Sequence, residues 1–182
     1  MLQIVIPSSE LYDERTGEFI EVPRQVLQVE HSLVSVSKWE SRWCKPFLSN
    51  DPKTKEECDD YIRCMTLTQN VPQIVYKAIP DSVVEKVNDY IERPMTATWF
   101  RDDKNRPGPK NREIVTAELI YYWMIALNIP FECQKWHLNR LLTLIRVCNE
   151  KNAPQKKMTK KDLYSYNRSL NEARKKRLHS HG

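Results

Sequence analysis

Short apolar runs rich in β-forming residues, separated by a polar turn, predict β-strands near the start of the chain. Leu2 to Ile6 is rich in β-branched residues, and Phe19 to Val22 repeats the pattern after a turn that contains Gly17. Pro23 should end the second strand, and a shorter third strand is expected over residues 25–30. A unit of this size is marginal alone, so we expect a small antiparallel sheet or hairpin that packs on helices.

Apolar residues recur at helical spacing after residue 31. A first helix is expected from Leu33, with Ser32 as its N-cap and Pro46 beyond its end. Thr54 and Glu57 have capping-box spacing and should open a second helix. The apolar face expected for that helix consists of Cys58, Tyr61, Ile62 and Met65. Shorter helices are predicted at residues 72–78 and 83–91, the latter capped by Asp81.

Residues 92–111 are rich in proline and charged side chains, which predicts an exposed loop. Trp99 and Phe100 are two large aromatic residues within it. They either anchor the loop to the core or bind a partner, and the anchor is the favoured alternative because exposed aromatic patches are uncommon on monomers. Both residues therefore remain candidate partner-binding positions.

Two apolar helices are predicted between residues 113 and 149, separated by Pro130. Apolar side chains cover most of the circumference of each helix, which is typical of buried helices. We therefore expect a long antiparallel helical hairpin at the centre of the core, with Leu141 buried in it.

A third helical pattern spans Leu163 to Leu178 after an interruption at residues 153–155. Its apolar stripe is too weak to fold alone, so this segment should dock on a partner or stay partly disordered. The candidate binding residues are Leu163, Tyr166, Leu170, Arg174, Lys175 and Lys176. The predicted fold is α+β and mainly α, with one globular domain over 1–153 (β-rich over 1–30, helical over 31–153) and a basic tail over 154–182.

Charge is concentrated at the end of the chain. Of the 182 residues, 40% are hydrophobic and 29% charged, which fits a folded protein with one core. Residues 151–182 carry ten basic and two acidic side chains, a net +8, which leaves −3 for residues 1–150. Such a tail suits nucleic acid, an acidic protein or a neighbour in an assembly. With no membrane-length apolar run and no basic flank at the start, we expect a cytosolic protein without membrane contact.

Residue patterns for catalysis or metal binding are weak. The five cysteines form no CxxC pair, and the carboxylates around Cys58 disfavour a thiolate. Cys133 and His137 have helical i, i+4 spacing, but they supply only two ligands for zinc. Nucleotide-binding and hydrolase motifs are missing from the sequence. We expect no enzyme activity, no cofactor and no metal.

Several segments together resemble a known protein family, and the likeness covers nearly the whole chain. They are Leu2–Pro7, Thr16–Phe19, Trp39–Trp43, Met95–Thr98, Ile129–Cys148 and Arg168–Lys175. The chain resembles the tail assembly chaperones of long-tailed bacteriophages. The resemblance implies a mainly helical protein of the host cytoplasm, absent from the mature virion, that binds the tape measure protein, helps recruit the tail tube protein and self-associates. It brings no catalytic or residue-level binding motif.

Two other function classes stay open on the sequence. A structural tail or neck protein would be found in purified virions. A nucleic-acid-binding protein would use the basic tail, and its affinity would fall steeply with salt.

Overall fold

The computed structural model describes residues 1–13, 17–98, 100, 114–153 and 160–178, and it confirms the α+β, mainly α fold. The chain divides into two compact units, residues 1–149 and residues 150–182. The strands are β1 (Leu2–Ile6), β2 (Ser9–Asp13), β3 (Glu18–Val22) and β4 (Gln25–Val29). The helices are α1 (Leu33–Trp43), α2 (Lys55–Met65), α3 (Gln73–Lys77), α4 (Asp81–Glu92), α5 (Ala117–Ala126), a 3-10 helix (Phe131–Lys135), α6 (Leu138–Asn152) and α7 (Lys160–Leu178).

The four strands form one interrupted antiparallel ribbon. β1 pairs with β4 and β2 pairs with β3, in a single register that places Ile6 opposite Gln25 and Ser9 opposite Val22. Pro7 and Pro23 lie in the gap between the two ladders, where a proline cannot donate a backbone hydrogen bond. The predicted pairing of the first strand with Phe19–Val22 is therefore wrong, because β3 pairs with β2, a strand that the sequence analysis did not predict, and β1 pairs with β4.

Local capping signals place several helices as the sequence predicts. Ser32 caps α1 and Thr54 caps α2, and both make reciprocal capping boxes. α3 lies within the predicted short helix. Asp81, predicted to be a cap, is instead the first residue of α4, because the extended backbone of Pro80 occupies the N-cap position. Of the predicted α2 face, Cys58 is only half-buried.

The core of residues 1–149 packs around α1. Trp39 on this helix is buried, and its indole Nε1 donates to the Glu57 carbonyl oxygen of α2 at 2.9 Å. Helices α2 and α5 and the 3-10 helix all contact α1, and α4 contacts β1. Contrary to the predicted hairpin, α5 makes its most extensive helix contact with α1 and not with α6.

The second predicted long helix is broken near its start. The 3-10 helix over Phe131–Lys135 ends at Trp136, whose backbone is extended, and α6 begins at Leu138. The Leu138 amide there donates to the His31 carbonyl oxygen at 2.7 Å, a contact with the segment between β4 and α1. This pairing over about a hundred residues could not be predicted from local spacing. Among the residues described, no helix combines the length and apolar character that crossing a membrane requires.

Candidate protein-binding surface

Helix α5 is apolar around nearly its whole circumference, yet only one side of it is buried. Ala117, Ile120 and Met124 lie in the core, whereas Tyr122 is 63% exposed and Ile125 is 61% exposed. The single charged residue of the helix, Glu118, lies one turn before Tyr122, and no other charged side chain lies on the outer side. A helix that is apolar all round is normally buried, and large exposed apolar patches mark interaction sites.

Phe131 extends this exposed surface beyond the end of the helix. Asn128 adopts a left-handed backbone conformation with φ of 52°, and the Ile129 amide donates to the Met124 carbonyl oxygen at 2.8 Å. This is the geometry of a Schellman helix end, in which asparagine is tolerated at positive φ. The reversed chain leaves Phe131 53% exposed. We call Tyr122, Ile125 and Phe131 the α5 patch.

The neighbouring Tyr121 fixes the turn that carries Phe131. Its ring lies 6.5 Å from the Phe131 ring, centroid to centroid, and its hydroxyl donates to Gln134 Oε1 at 2.9 Å. Burial raises the pKa of Tyr121, so this hydroxyl stays protonated and remains a donor. The α5 patch is therefore held by side-chain contacts on both sides of the turn.

A buried carboxylate holds the other end of α5. Glu40 of α1 is only 7% exposed, and its Oε2 accepts a hydrogen bond from the Ala117 amide at 2.7 Å. Its Oε1 accepts from the Phe47 amide at 2.8 Å. A carboxylate at a helix N-terminus satisfies an otherwise unpaired amide and interacts favourably with the helix dipole. Helix α5 is thus fixed to α1, and its outer face does not depend on a bound partner for its position.

The sequence-predicted binding residues of the tail lie on α7, in the second unit. Tyr166 is 52% exposed, Leu170 is 37% exposed, and Arg174 and Lys175 are also exposed. Helical spacing puts Tyr166, Leu170 and Arg174 on one face of α7. Leu163 and Lys176 belong to the helix backbone, but their side chains lie outside the described part of the structure.

The two aromatic residues predicted in the loop have different outcomes. Phe100 is half-buried, and the Arg146 guanidinium of α6 lies 3.8 Å from its ring centroid. This is a cation–π contact, which supports the anchor alternative for Phe100. Trp99 lies outside the described residues, and no partner-binding role is assigned to it from the structure.

The side chains with the most perturbed acid–base properties form a buried network at the centre of the first unit. His31 Nδ1 lies 2.5 Å from the Tyr61 hydroxyl, and the His31 ring is 5.1 Å from that of His137. His137 Nε2 lies 3.1 Å from the Tyr90 carbonyl oxygen. The Tyr90 hydroxyl in turn donates to Glu30 Oε1 at 2.7 Å.

This network is built for structure. Burial lowers the pKa of His31 to about 3 and also lowers the pKa of His137, so both imidazoles are neutral near pH 7. Burial raises the pKa of Tyr90, which keeps its hydroxyl protonated as the donor to Glu30. A cavity of about 620 Å³ adjoins Glu30, Tyr90 and His137. The hydrogen bonds of the network join the end of β4, α2, α4 and the start of α6, and the side chains of Glu30, Tyr90 and His137 are all engaged in them.

Metal binding finds no support in this network. Cys133 lies in the 3-10 helix and His137 beyond its end, so they do not share the helical face that their spacing suggested. Within the part of the chain that the structure describes, no three His, Cys, Asp or Glu side chains are grouped to hold a metal ion.

The α5 patch is the candidate surface that the sequence did not lead us to expect. Its signal in the sequence was the apolar composition of residues 117–126, which contain one charged residue.

Comparison with known proteins gives no relationship on which to base a function. No family model matches the chain, and neither a curated protein nor a solved structure matches it. A proposal on function therefore rests on the chain's own surface chemistry and on the resemblance of its segments.

Proposed function

We propose that this protein is a tail assembly chaperone of a long-tailed bacteriophage. In this role it binds the tape measure protein in the host cytoplasm, keeps it soluble and helps recruit tail tube subunits. The observation that carries the proposal is the α5 patch, an exposed apolar surface on a helix that is fixed to the core. A chaperone needs such a surface in the absence of its client, whereas an isolated monomer gains nothing from it.

The α5 patch suits a helical client. Tyr122 and Ile125 are three residues apart on α5 and therefore lie side by side, and Phe131 follows from the turn. An amphipathic helix binds such a surface through its own apolar residues at i, i+3, i+4 and i+7. The tape measure protein, a long coiled-coil protein, supplies helices with that pattern. The basic face of α7 adds a second contact by attracting acidic segments of the same client.

Co-purification tests this proposal. The tagged protein is co-expressed with the tape measure protein of the same phage, and the amount recovered is compared between variants. The double substitution Tyr122→Glu and Ile125→Glu puts two carboxylates in the patch, and we expect it to abolish recovery of the tape measure protein. Leu67→Glu is the matched control, because Leu67 is 54% exposed but lies at the end of α2 beside β4.

Equal recovery with all three proteins would place client binding elsewhere and contradict the role of the α5 patch. A folded double variant is required for this comparison. Because both substituted side chains are largely exposed, the free energy of unfolding should change by no more than about 0.5 kcal/mol for each.

A second candidate function is nucleic-acid binding through α7. This helix has seven basic and two acidic residues, and Arg168, Arg174 and Lys175 are exposed. Phosphate contacts by such side chains give affinity that falls steeply with salt concentration. A mobility-shift titration at two salt concentrations distinguishes this function from client binding through the apolar patch.

A structural role in the virion would be revealed by detection of the protein in purified particles.

A further inference from the structure

We propose that the outer half of the β-ribbon, β2 with β3, binds helix α7 of a second copy of the chain. The proteins would then associate head to tail, each copy offering its ribbon tip to one neighbour and its α7 to another. This inference rests on the proposed function, because it names the surfaces through which the expected self-association occurs. Self-association can be measured without the tape measure protein. Its test therefore succeeds or fails separately from client binding.

The first observation is an exposed aromatic pair at the ribbon tip. Tyr12 and Phe19 lie directly opposite each other, with ring centroids 5.2 Å apart and ring planes tilted by 54°. Tyr12 is 57% exposed and Phe19 is 69% exposed. Cross-strand aromatic pairing stabilises the ribbon, but it leaves most of both rings in solvent. These rings offer the largest apolar area on this face of the ribbon.

The second observation is the placement of like charges around the aromatic pair. The register sets Glu10 opposite Glu21, on the face that carries the aromatic pair. Like charges directly opposite each other destabilise a β-ladder. Within the described residues, no basic group lies within ion-pair distance of Glu10 or Glu21. The ribbon therefore carries a repulsion that a cationic partner would relieve.

The third observation is the distribution of charge along the chain. Residues 9–22 contain five acidic side chains and one basic side chain, a net −4, whereas residues 1–150 as a whole sum to −3. The other residues up to 150 therefore sum to +1, the difference between −3 and −4, so the ribbon accounts for the net negative charge of this part of the chain. Helix α7, residues 160–178, has a net +5. The ribbon tip and α7 are therefore of opposite charge, and opposite charges steer and select partners.

The spacing of apolar and charged groups also agrees between the two surfaces. Tyr12 and Glu10 lie on the same face of β2, two residues apart, which is about 6.8 Å along a strand. Leu170 and Arg174 lie one turn apart on α7, which is about 6 Å along a helix axis. Leu170 against the aromatic pair would therefore place Arg174 beside the Glu10 and Glu21 carboxylates.

The ribbon tip and α7 are each left uncovered within their own unit. Tyr12 and Phe19 keep more than half of their surface in solvent, and so does Tyr166. A second copy supplies the matching surface at equal concentration. Such head-to-tail contacts are heterologous, and they produce rings or filaments instead of closed two-fold dimers.

Sedimentation velocity of the full chain over a range of concentrations tests the proposal. The wild-type protein should show a weight-average sedimentation coefficient that rises with concentration. Glu10→Lys with Glu21→Lys should weaken association by about tenfold or more, and so should Arg174→Glu with Lys175→Glu, because like charges then face each other. A chain carrying all four substitutions should recover association, since the charges are complementary again.

The matched control is Glu85→Lys with Asp89→Lys, which reverses two exposed carboxylates on α4 and should leave association unchanged. Circular dichroism verifies that each variant is folded. Failure of the fourfold variant to recover association would overturn the proposal. So would a sedimentation coefficient that does not depend on concentration, which would indicate either an isolated chain or a contact within one copy.

Discussion

His31 illustrates how burial sets the chemistry of a single residue. Its side chain is 1% exposed, and burial lowers its pKa from 6.5 to about 3, with the nearby His137 adding to the effect. Between about pH 6.5 and pH 3, His31 is therefore protonated in the unfolded chain but neutral in the folded protein. The resulting stability is complete above pH 6.5 and is lost as the pH falls from 6.5 towards 3.

Acidification should therefore destabilise the protein through His31. Between pH 7 and pH 5 the free energy of unfolding should fall by about 2 kcal/mol on account of this residue. Urea denaturation at several pH values measures the change. A His31→Gln variant lacks the titrating group and should show a shallower pH dependence, even if its stability at pH 7 is lower. An equal slope in the variant and the wild type would mean that His31 ionises normally in the fold.

Leu141 tests the predicted core at the level of one side chain. It is fully buried, as the sequence predicts, although the helix that carries it begins later than expected. Leu141→Ala should reduce the free energy of unfolding by about 2 to 5 kcal/mol, because it removes buried methyl groups and leaves a cavity. Ile125→Ala, at a 61% exposed position, should change it by less than about 0.5 kcal/mol. Similar denaturation midpoints for both variants would refute this assignment of the core.

Residue-scale features were predictable where their partners are close in sequence. Ser32 and Thr54 act as N-caps because each bonds an amide three residues along, a relation that the sequence displays directly. The role of Glu40 was not predictable, because its partner Ala117 is 77 residues away. The same holds for the hydrogen bond between Tyr90 and Glu30.

At the scale of elements, Glu40 joins α1 to α5 and to the segment after α1. Glu40→Ala should lower the free energy of unfolding by at least about 1 to 3 kcal/mol, because the Ala117 amide loses its acceptor in a buried setting and the Phe47 amide loses its own. Glu56→Ala, at an exposed position in the first turn of α2, is the control. Chemical denaturation compares the two. A smaller loss for Glu40→Ala than for the control would mean that other contacts position α5.

The β-ribbon and α5 explain why element-scale prediction succeeded only in part. The sequence predicts β1, β3 and β4, and Pro23 follows the end of β3 as expected. It did not predict β2 or the register that continues across Pro7 and Pro23. For α5, the apolar composition correctly predicts contact with the core through Ile120 and Met124. It also predicted the central helix of the core, whereas Tyr122 and Ile125 on its outer side are largely exposed.

At the scale of the whole molecule, the buried core belongs to the first unit. Among the residues that the structure describes, every buried member of the hydrophobic core lies between Ile4 and Ile145. A chain ending at Pro154 should therefore keep the denaturation midpoint of the full chain within experimental error. It should also lose concentration-dependent association, because α7 is removed. A large drop in its midpoint would show that residues after 154 contribute to the stability of the first unit.

The binding surfaces were the features hardest to predict from the sequence, because the exposure of an apolar side chain depends on which elements pack around it. The tail residues Tyr166, Leu170 and Arg174 were visible as an amphipathic stripe, and the structure leaves them exposed. The α5 patch and the Tyr12–Phe19 pair required knowledge of which neighbours pack on which side. Local spacing contains no such information.

The most direct test of the proposed chaperone function is the solubility of the tape measure protein. The tape measure protein is expressed alone, with the wild-type protein, and with the Tyr122→Glu, Ile125→Glu variant, and its fraction in the supernatant after centrifugation is measured. We predict that the wild-type protein keeps most of it soluble, whereas the variant leaves it in the pellet as in the absence of any partner. A soluble fraction that is the same with and without the wild-type protein would contradict the proposed function.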